Sequence, residues 1–318
     1  GNGMGEGHHF YKVDGRYYII SANYAPVGRM QAARADRLDG PWETVAISAS
    51  ETMGTRRGWW EDGVGQRTPV PTGATRFSMH KPGDNALGAV PLHQGGIVQT
   101  PNGDWWGFSM MDVKSIGRTT FLSPVTWRDG WPYFGLAGNL GRSPRTWLKP
   151  DVGVETPPHA TYARSDDFST DALKPVWQWN HQPVDGKWSL VERPGALRLH
   201  ALPADDFLWA RNTLTQRVIG PESMATVRLD ASGLAPGDVA GLGLLNMPAS
   251  WLGVVRSKAG VLLRWYAQLG DRHVDVPLES SEVYLRVAGD YDDDLARYAW
   301  SLDGERFTDI GEPVRLPY

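Results

Sequence analysis

Helical periodicity is almost missing from this chain, and short β-rich runs set off by glycine turns take its place. Residues 16–20 follow Asp14-Gly15, residues 105–110 follow Asn102-Gly103, and residues 261–266 follow Ala259-Gly260. Asx and Gly adopt the left-handed backbone that tight hairpin turns need, so each run reads as a hairpin arm. In the first two, an aromatic pair stands just after the turn: Tyr17-Tyr18 in one and Trp105-Trp106 in the other. Repeated hairpins tens of residues apart suggest propeller blades, although an ordinary meander carries the same local pattern.

Composition narrows the class. The 318 residues are 41% hydrophobic and 21% charged, enough apolar material for two ordinary domains or one large all-β domain. Lys and Arg total 32 against 36 Asp and Glu, so no basic surplus exists to neutralise phosphates, and nucleic acid is not an expected partner. No run of about 18 apolar residues occurs, so a membrane-spanning helix is excluded and no membrane partner is expected. Cys is absent, which excludes disulfides, thiolate metal sites and cysteine nucleophiles. The 37 Gly and 23 Pro punctuate many short segments, and 15 Trp exceed what cores usually require. Together they read as an all-β protein that handles something ring-shaped.

The pattern shifts near residue 150. Residues 143–158 carry several prolines and no strand pattern, which places a linker at 151–163 between residues 1–150 and 164–318. Beyond it, short strands at 196–200, 225–229, 261–266, 283–287 and 298–302 fit an antiparallel β-sandwich of about 150 residues.

Two ordered series of motifs carry a resemblance. Glu6-Gly7-His8-His9-Phe10-Tyr11-Lys12, followed by Asp14-Gly15-Arg16-Tyr17-Tyr18, resembles the acid-bearing segment of glycoside hydrolase family 43, whose members are five-bladed β-propellers. Leu38-Asp39-Gly40-Pro41-Trp42-Glu43, His93-Gln94-Gly95-Gly96, Gly117-Arg118-Thr119-Thr120 and Asp129-Gly130-Trp131-Pro132 continue it in order. Trp177-Gln178-Trp179-Asn180-His181, Trp188-Ser189-Leu190 and Leu197-Arg198-Leu199 are similar to the concanavalin-like sandwich found behind that propeller. The resemblance implies the last blades of a propeller in 1–150 and the sandwich in 164–318. It also implies an exo-acting, inverting glycosidase on arabinoxylan-type hemicellulose, of β-xylosidase and/or α-L-arabinofuranosidase type. Its substrate would be a xylo- or arabino-oligosaccharide, with no required cofactor. In the family the general-base Asp, and a second Asp that tunes the acid, precede the acid segment and so fall before this chain. An N-terminal fragment completing the propeller is therefore the expected partner. The alternative is a non-catalytic carbohydrate-binding or structural fragment. A β-sandwich lectin with an appended meander would leave the ordered motifs unexplained.

Inverting glycosidases use a protonated carboxyl on the leaving oxygen and a carboxylate roughly 6.5–9.5 Å away that activates water. Under the resemblance Glu6 is the acid, a role that needs a pKa raised by burial or by a neighbouring carboxylate. The plainer reading is an exposed acid in a glycine-rich stretch. Arg118 is implied to face the sugar pocket, against the reading of a surface strand arginine. His93 is implied near the propeller axis, orienting water or holding a structural Ca²⁺ through water, against the reading of an ordinary core or surface histidine. His8 and His9, adjacent on a strand, would face opposite ways. Trp59-Trp60 and Trp105-Trp106 are candidate sugar platforms, with core packing as the default for tryptophan. Phe207, with Leu208 and Trp209, is either an apolar lid over the pocket or ordinary sandwich core. Asp166-Asp167 could hold Ca²⁺ or be simply solvated.

Overall fold

A computed structural model describes residues 5–23, 29–48, 59–61, 67–69, 92–112, 114–138, 140–141, 143, 147–155, 163–291 and 293–316. The chain forms two compact units, one of residues 1–113 with 117–158, the other of 114–116 with 159–318. Among the described residues no helix is long and apolar enough to cross a membrane.

The first unit contains β1 (Gly5–Val13), β2 (Arg16–Asn23), β3 (Arg29–Ala35), β4 (Glu43–Ala46), β5 (Trp59–Glu61), β6 (Arg67–Pro69), β7 (Leu92–Gln99), β8 (Trp105–Asp112), β9 (Arg118–Arg128) and β10 (Trp131–Phe134). Two four-stranded antiparallel meanders dominate, in the orders β1-β2-β3-β4 and β7-β8-β9-β10, as successive blades would be. Asp14 and Gly15 in the β1–β2 turn, and Asp129 and Gly130 in the β9–β10 turn, all have positive φ. That is the geometry whose twist matches the flanking strands.

The meanders share one core of Ile20, Met30, Ala32, Ile47, Ile97 and Phe134, with Trp105, Trp127 and Trp131 against it. Polar contacts join their rims. Tyr18 donates to the Gly130 carbonyl at 3.0 Å, and the Phe134 amide donates to the Ile47 carbonyl at 2.9 Å. The Arg34 guanidinium lies 4.0 Å from the centre of the Trp131 ring while bonding Glu43 at 3.0 Å. Stacked on a ring and paired with an acid, it holds the β9–β10 turn against β3.

The second unit contains short bridges β11 (Gln178–Trp179), β12 (Trp188–Ser189), β13 (Arg198–Leu199) and β14 (Leu214–Thr215). Its long strands are β15 (Glu222–Asp230), β16 (Val239–Leu244), β17 (Ser250–Ser257), β18 (Gly260–Ala267), β19 (Arg272–Pro277), β20 (Glu282–Asp290), β21 (Leu295–Ser301) and β22 (Thr308–Arg315). They build two antiparallel sheets, β15-β20-β21-β22 and β16-β17-β18-β19. Leu252, Val254, Leu263, Trp265, Leu285, Val287, Tyr298 and Ile310 fill the space between. Tyr298 is buried with its hydroxyl bonded to Ser250 at 2.9 Å, and burial pushes its pKa far up. The expected strand at 196–200 shrinks to the two residues of β13.

Carboxylates brace this unit. Asp166, its side chain 2% exposed, accepts from Trp177 Nε1 at 2.8 Å and from the Phe168 amide at 3.0 Å, and pairs with Lys174 at 3.0 Å. Burial raises its pKa, but these partners more than offset that and leave it lowered. Asp230 is lowered to about 2, chiefly by Ser232 and then by Arg193. Such groups take up protons in the unfolded chain near pH 4, where the folded state still excludes them. Their stabilisation is therefore present above about pH 4 and lost as pH falls toward 2. The thermal midpoint is expected to drop between pH 6 and pH 3, and Asp230→Asn should shrink that drop; an unchanged acid dependence in the variant would refute it.

Candidate active site

Glu6 lies at the start of β1, exposed, just before a break in register: Glu6 pairs with Ala22 and His9 with Ile20, so Gly7 and His8 bulge out. β7 has a matching irregularity, where His93 pairs with Met110 and Gly96 with Phe108, so that Gln94 and Gly95 bulge. The two bulges meet. The Gln94 amide donates to the Glu6 carboxylate, and a Cβ on Gly7 would stand only 3.2 Å from the Gln94 side chain. Gly7 and Gln94 both have positive φ, which glycine adopts without strain and glutamine does not. Bulges re-aim side chains, and here they aim an amide at an acid.

The glycine pair after Gln94 makes the approach possible. A Cβ on Gly95 would fall 1.8 Å from the Phe108 carbonyl, and one on Gly96 would fall 2.0 Å from the Tyr11 hydroxyl. Tyr11 Oη accepts from the Ile97 amide at 2.9 Å, and burial raises its pKa, so it stays a neutral tie between β1 and β7. His9 packs edge-on to Phe108 at 5.5 Å. His8 is exposed and His9 half-buried, as neighbours on opposite sides of a strand should be.

Arg118 opens β9, pairs in register with Asp112 and is exposed. β7 and β9 both run antiparallel to β8, so Arg118 sits at the same end of the sheet as His93 and Gln94. It stands two strand spacings, roughly 10 Å, across the sheet. The structure thus gathers Glu6, His93, Gln94 and Arg118 at one end of two adjoining sheets. The side chain of His93 lies outside the described residues. Trp59 and Trp60 lie in β5, which pairs antiparallel with β6 so that Trp59 stands opposite Pro69, and their side chains are likewise outside the described residues. Trp105 and Trp106 are committed to packing: Trp105 meets Trp127 edge-on at 5.2 Å, and Trp106 is 9% exposed.

Nearly the whole chain finds counterparts among known proteins. A family described as the β-xylosidase C-terminal concanavalin A-like domain matches residues 165–317. A β-xylosidase of Formosa agariphila is 32% identical across 99% of this chain and 55% of its own length. A structure of a bifunctional GH43-CE protein of Bacteroides eggerthii superposes with a TM-score of 0.76 at 30% identity, over 99% of this chain and 36% of that one. The chain belongs to glycoside hydrolase family 43.

A non-reducing end α-L-arabinofuranosidase of Bacteroides ovatus is also similar, 31% identical over 63% of this chain and 33% of its own length. The chain spans only 55% to 61% of the curated relatives that match nearly all of it. As a family-43 chain it carries the propeller meanders and the sandwich that the resemblance implied.

Within the sandwich, Phe207 begins a single 3₁₀ turn (Phe207–Trp209) capped by Asp206. Its ring lies against Gly243, where a Cβ would be 2.8 Å from Cε1. Trp209 is the exposed ring at 60%, stacked on His181 at 5.6 Å. Among the described residues no three metal-ligating side chains converge, and Asp166 and Asp167 spend their oxygens on Lys174, Trp177, Ser169 and backbone amides. Gln94 is the residue that the motif contained without a role. Its place between His93 and two glycines was the available signal.

Proposed function

We propose that this chain is the acid-bearing part of an exo-acting, inverting glycosidase that cleaves arabinoxylan-type oligosaccharides, releasing xylose or arabinofuranose. The observation that carries the reading is the Glu6 carboxylate, held at a strand bulge by Gln94 from the facing bulge. An amide hydrogen bond to one carboxylate oxygen holds the group in place and leaves the other oxygen to carry the proton that a glycosidic oxygen would receive. Arg118 and His93, at the same end of the sheets, would bind the terminal sugar. A guanidinium there can take sugar hydroxyls and temper carboxylate charge together. Trp59 would stack on a ring of the substrate. A structural Ca²⁺, if one is held, would take a water shell at His93 rather than direct imidazole ligation.

Inversion also needs a base, which the family supplies from blades preceding the acid segment. We assign that base to an N-terminal fragment, in keeping with the greater length of the relatives. The test is complementation. This chain, mixed with or joined to an N-terminal family-43 half, should release xylose from xylobiose or arabinofuranose from arabinoxylan. Activity absent from every such assembly would favour the alternative, a carbohydrate-binding or structural fragment.

A further inference from the structure

We propose that the outer face of the β16-β17-β18-β19 sheet binds a neutral oligosaccharide, making the sandwich a second carbohydrate site that does not depend on Glu6. The register sorts that face into rows. Gly243, Trp251, Tyr266 and His273 stand side by side across the four strands, and Gly241, Gly253, Arg264 and Asp275 form the next row. Their neighbours Leu252, Val254, Leu263 and Trp265 are buried in the core, so by alternation these rows face away from it.

The first row is aromatic along its whole length. Trp251 and Tyr266 are half-buried, their rings 5.4 Å apart and inclined at 33°. Phe207 covers Gly243 at one end and His273 stands at the other, so the ridge crosses three strand spacings, about 14 Å. That length accommodates several sugar rings rather than one. In the second row the floor is bare backbone. A Cβ on Gly241 would meet the Leu252 carbonyl at 2.3 Å, and one on Gly253 would meet the Ala240 carbonyl at 2.7 Å. Neither glycine carries a side chain, so this row lies as a shallow trough below the aromatic ridge, exposed at Gly241 and covered at Gly253.

At the far end of that trough Arg264 and Asp275 form a two-pronged pair, with Nε and Nη2 each 2.6 Å from a carboxylate oxygen and both side chains 32% exposed. Their charges cancel within the pair, while Asp271 bonds Tyr266 and Asp206 lies near it, so the face offers donors and acceptors but draws no anion. That chemistry disfavours phosphates and acidic peptides and suits a hydroxyl-rich, uncharged ligand. Ring faces for C–H groups beside a neutral polar fork describe a sugar chain lying along the trough.

Native gel electrophoresis of the full chain through soluble xylan or arabinoxylan tests this. The chain should be retarded, and Trp251→Ala should weaken the apparent affinity at least about tenfold, some 1.4 kcal/mol. Because Trp251 also packs, the double variant Arg264→Ala/Asp275→Ala, which removes a surface pair, should give the same loss with an unchanged melting temperature. Glu6→Gln should be retarded like the parent. The proposal is overturned if the parent is not retarded, if both face variants still bind, or if only Glu6→Gln loses binding. It is equally overturned if the face variants abolish a self-association of the parent instead of its retardation, which would make the face a contact between copies.

Discussion

Replacing Glu6 by Ala in a complete propeller is expected to lower kcat on xylobiose by about 10²–10⁴-fold, the usual worth of a positioned general acid. The loss should depend on the leaving group. An aryl xyloside whose phenolate departs without a proton needs little from an acid, so its hydrolysis should fall far less than that of xylobiose. Gln94→Ala should reproduce the same asymmetry at smaller size, because it loosens the carboxyl group without removing it. Gln94 is a positioning residue, and a merely structural effect of its loss would lower both substrates equally. Steady-state rates on the two substrates decide the matter. Equal losses for Glu6→Ala, or none, would take Glu6 out of the acid role.

The two bulges explain how far the site could be read in the sequence. The hairpins were legible because Asp14-Gly15 and Asp129-Gly130 encode their turns locally, and the structure gives positive φ at all four residues. Glu6 and the His93-Gln94-Gly95-Gly96 run were visible as motifs, yet 88 positions separate Glu6 from Gln94, and no local preference states that their bulges face each other. Gln94 at positive φ breaks the residue preference that would have announced the bend. Trp105-Trp106 was readable as an aromatic pair, but which face of a strand meets a neighbouring sheet is set by packing. Both rings are turned to that use. Lys114–Ile116 counts with the second unit although its neighbours in sequence belong to the first, and its short length leaves no periodicity to detect. In the sandwich, alternation along β18 marks Leu263 and Trp265 as core beside outward Arg264 and Tyr266. Only the register shows that Trp251 and Tyr266 lie side by side.

Truncating Phe134 to Ala should be the most destabilising single change in the first unit, at about 3–5 kcal/mol. Phe134 is fully buried in the core shared by the two meanders, and its backbone bonds to Ile47 and Gly141 would survive the substitution. The cost is therefore that of the ring and the cavity it leaves. The ring lies over Gly107, where a Cβ would come within 2.4 Å of it. Gly107→Ala alone should cost about 1–3 kcal/mol, because the ring is enclosed and a methyl must displace it. In the double variant the methyl enters the space the ring has vacated. The combined loss should then be smaller than the sum of the single losses by about 1–3 kcal/mol, a coupling expected only of groups competing for one volume. Urea denaturation followed by tryptophan fluorescence includes a signal from this cluster among the 15 Trp of the chain, since Trp105, Trp127 and Trp131 all pack against it. Strict additivity would mean that the ring relieves the methyl by moving elsewhere, and that the two meanders are not locked together at Phe134.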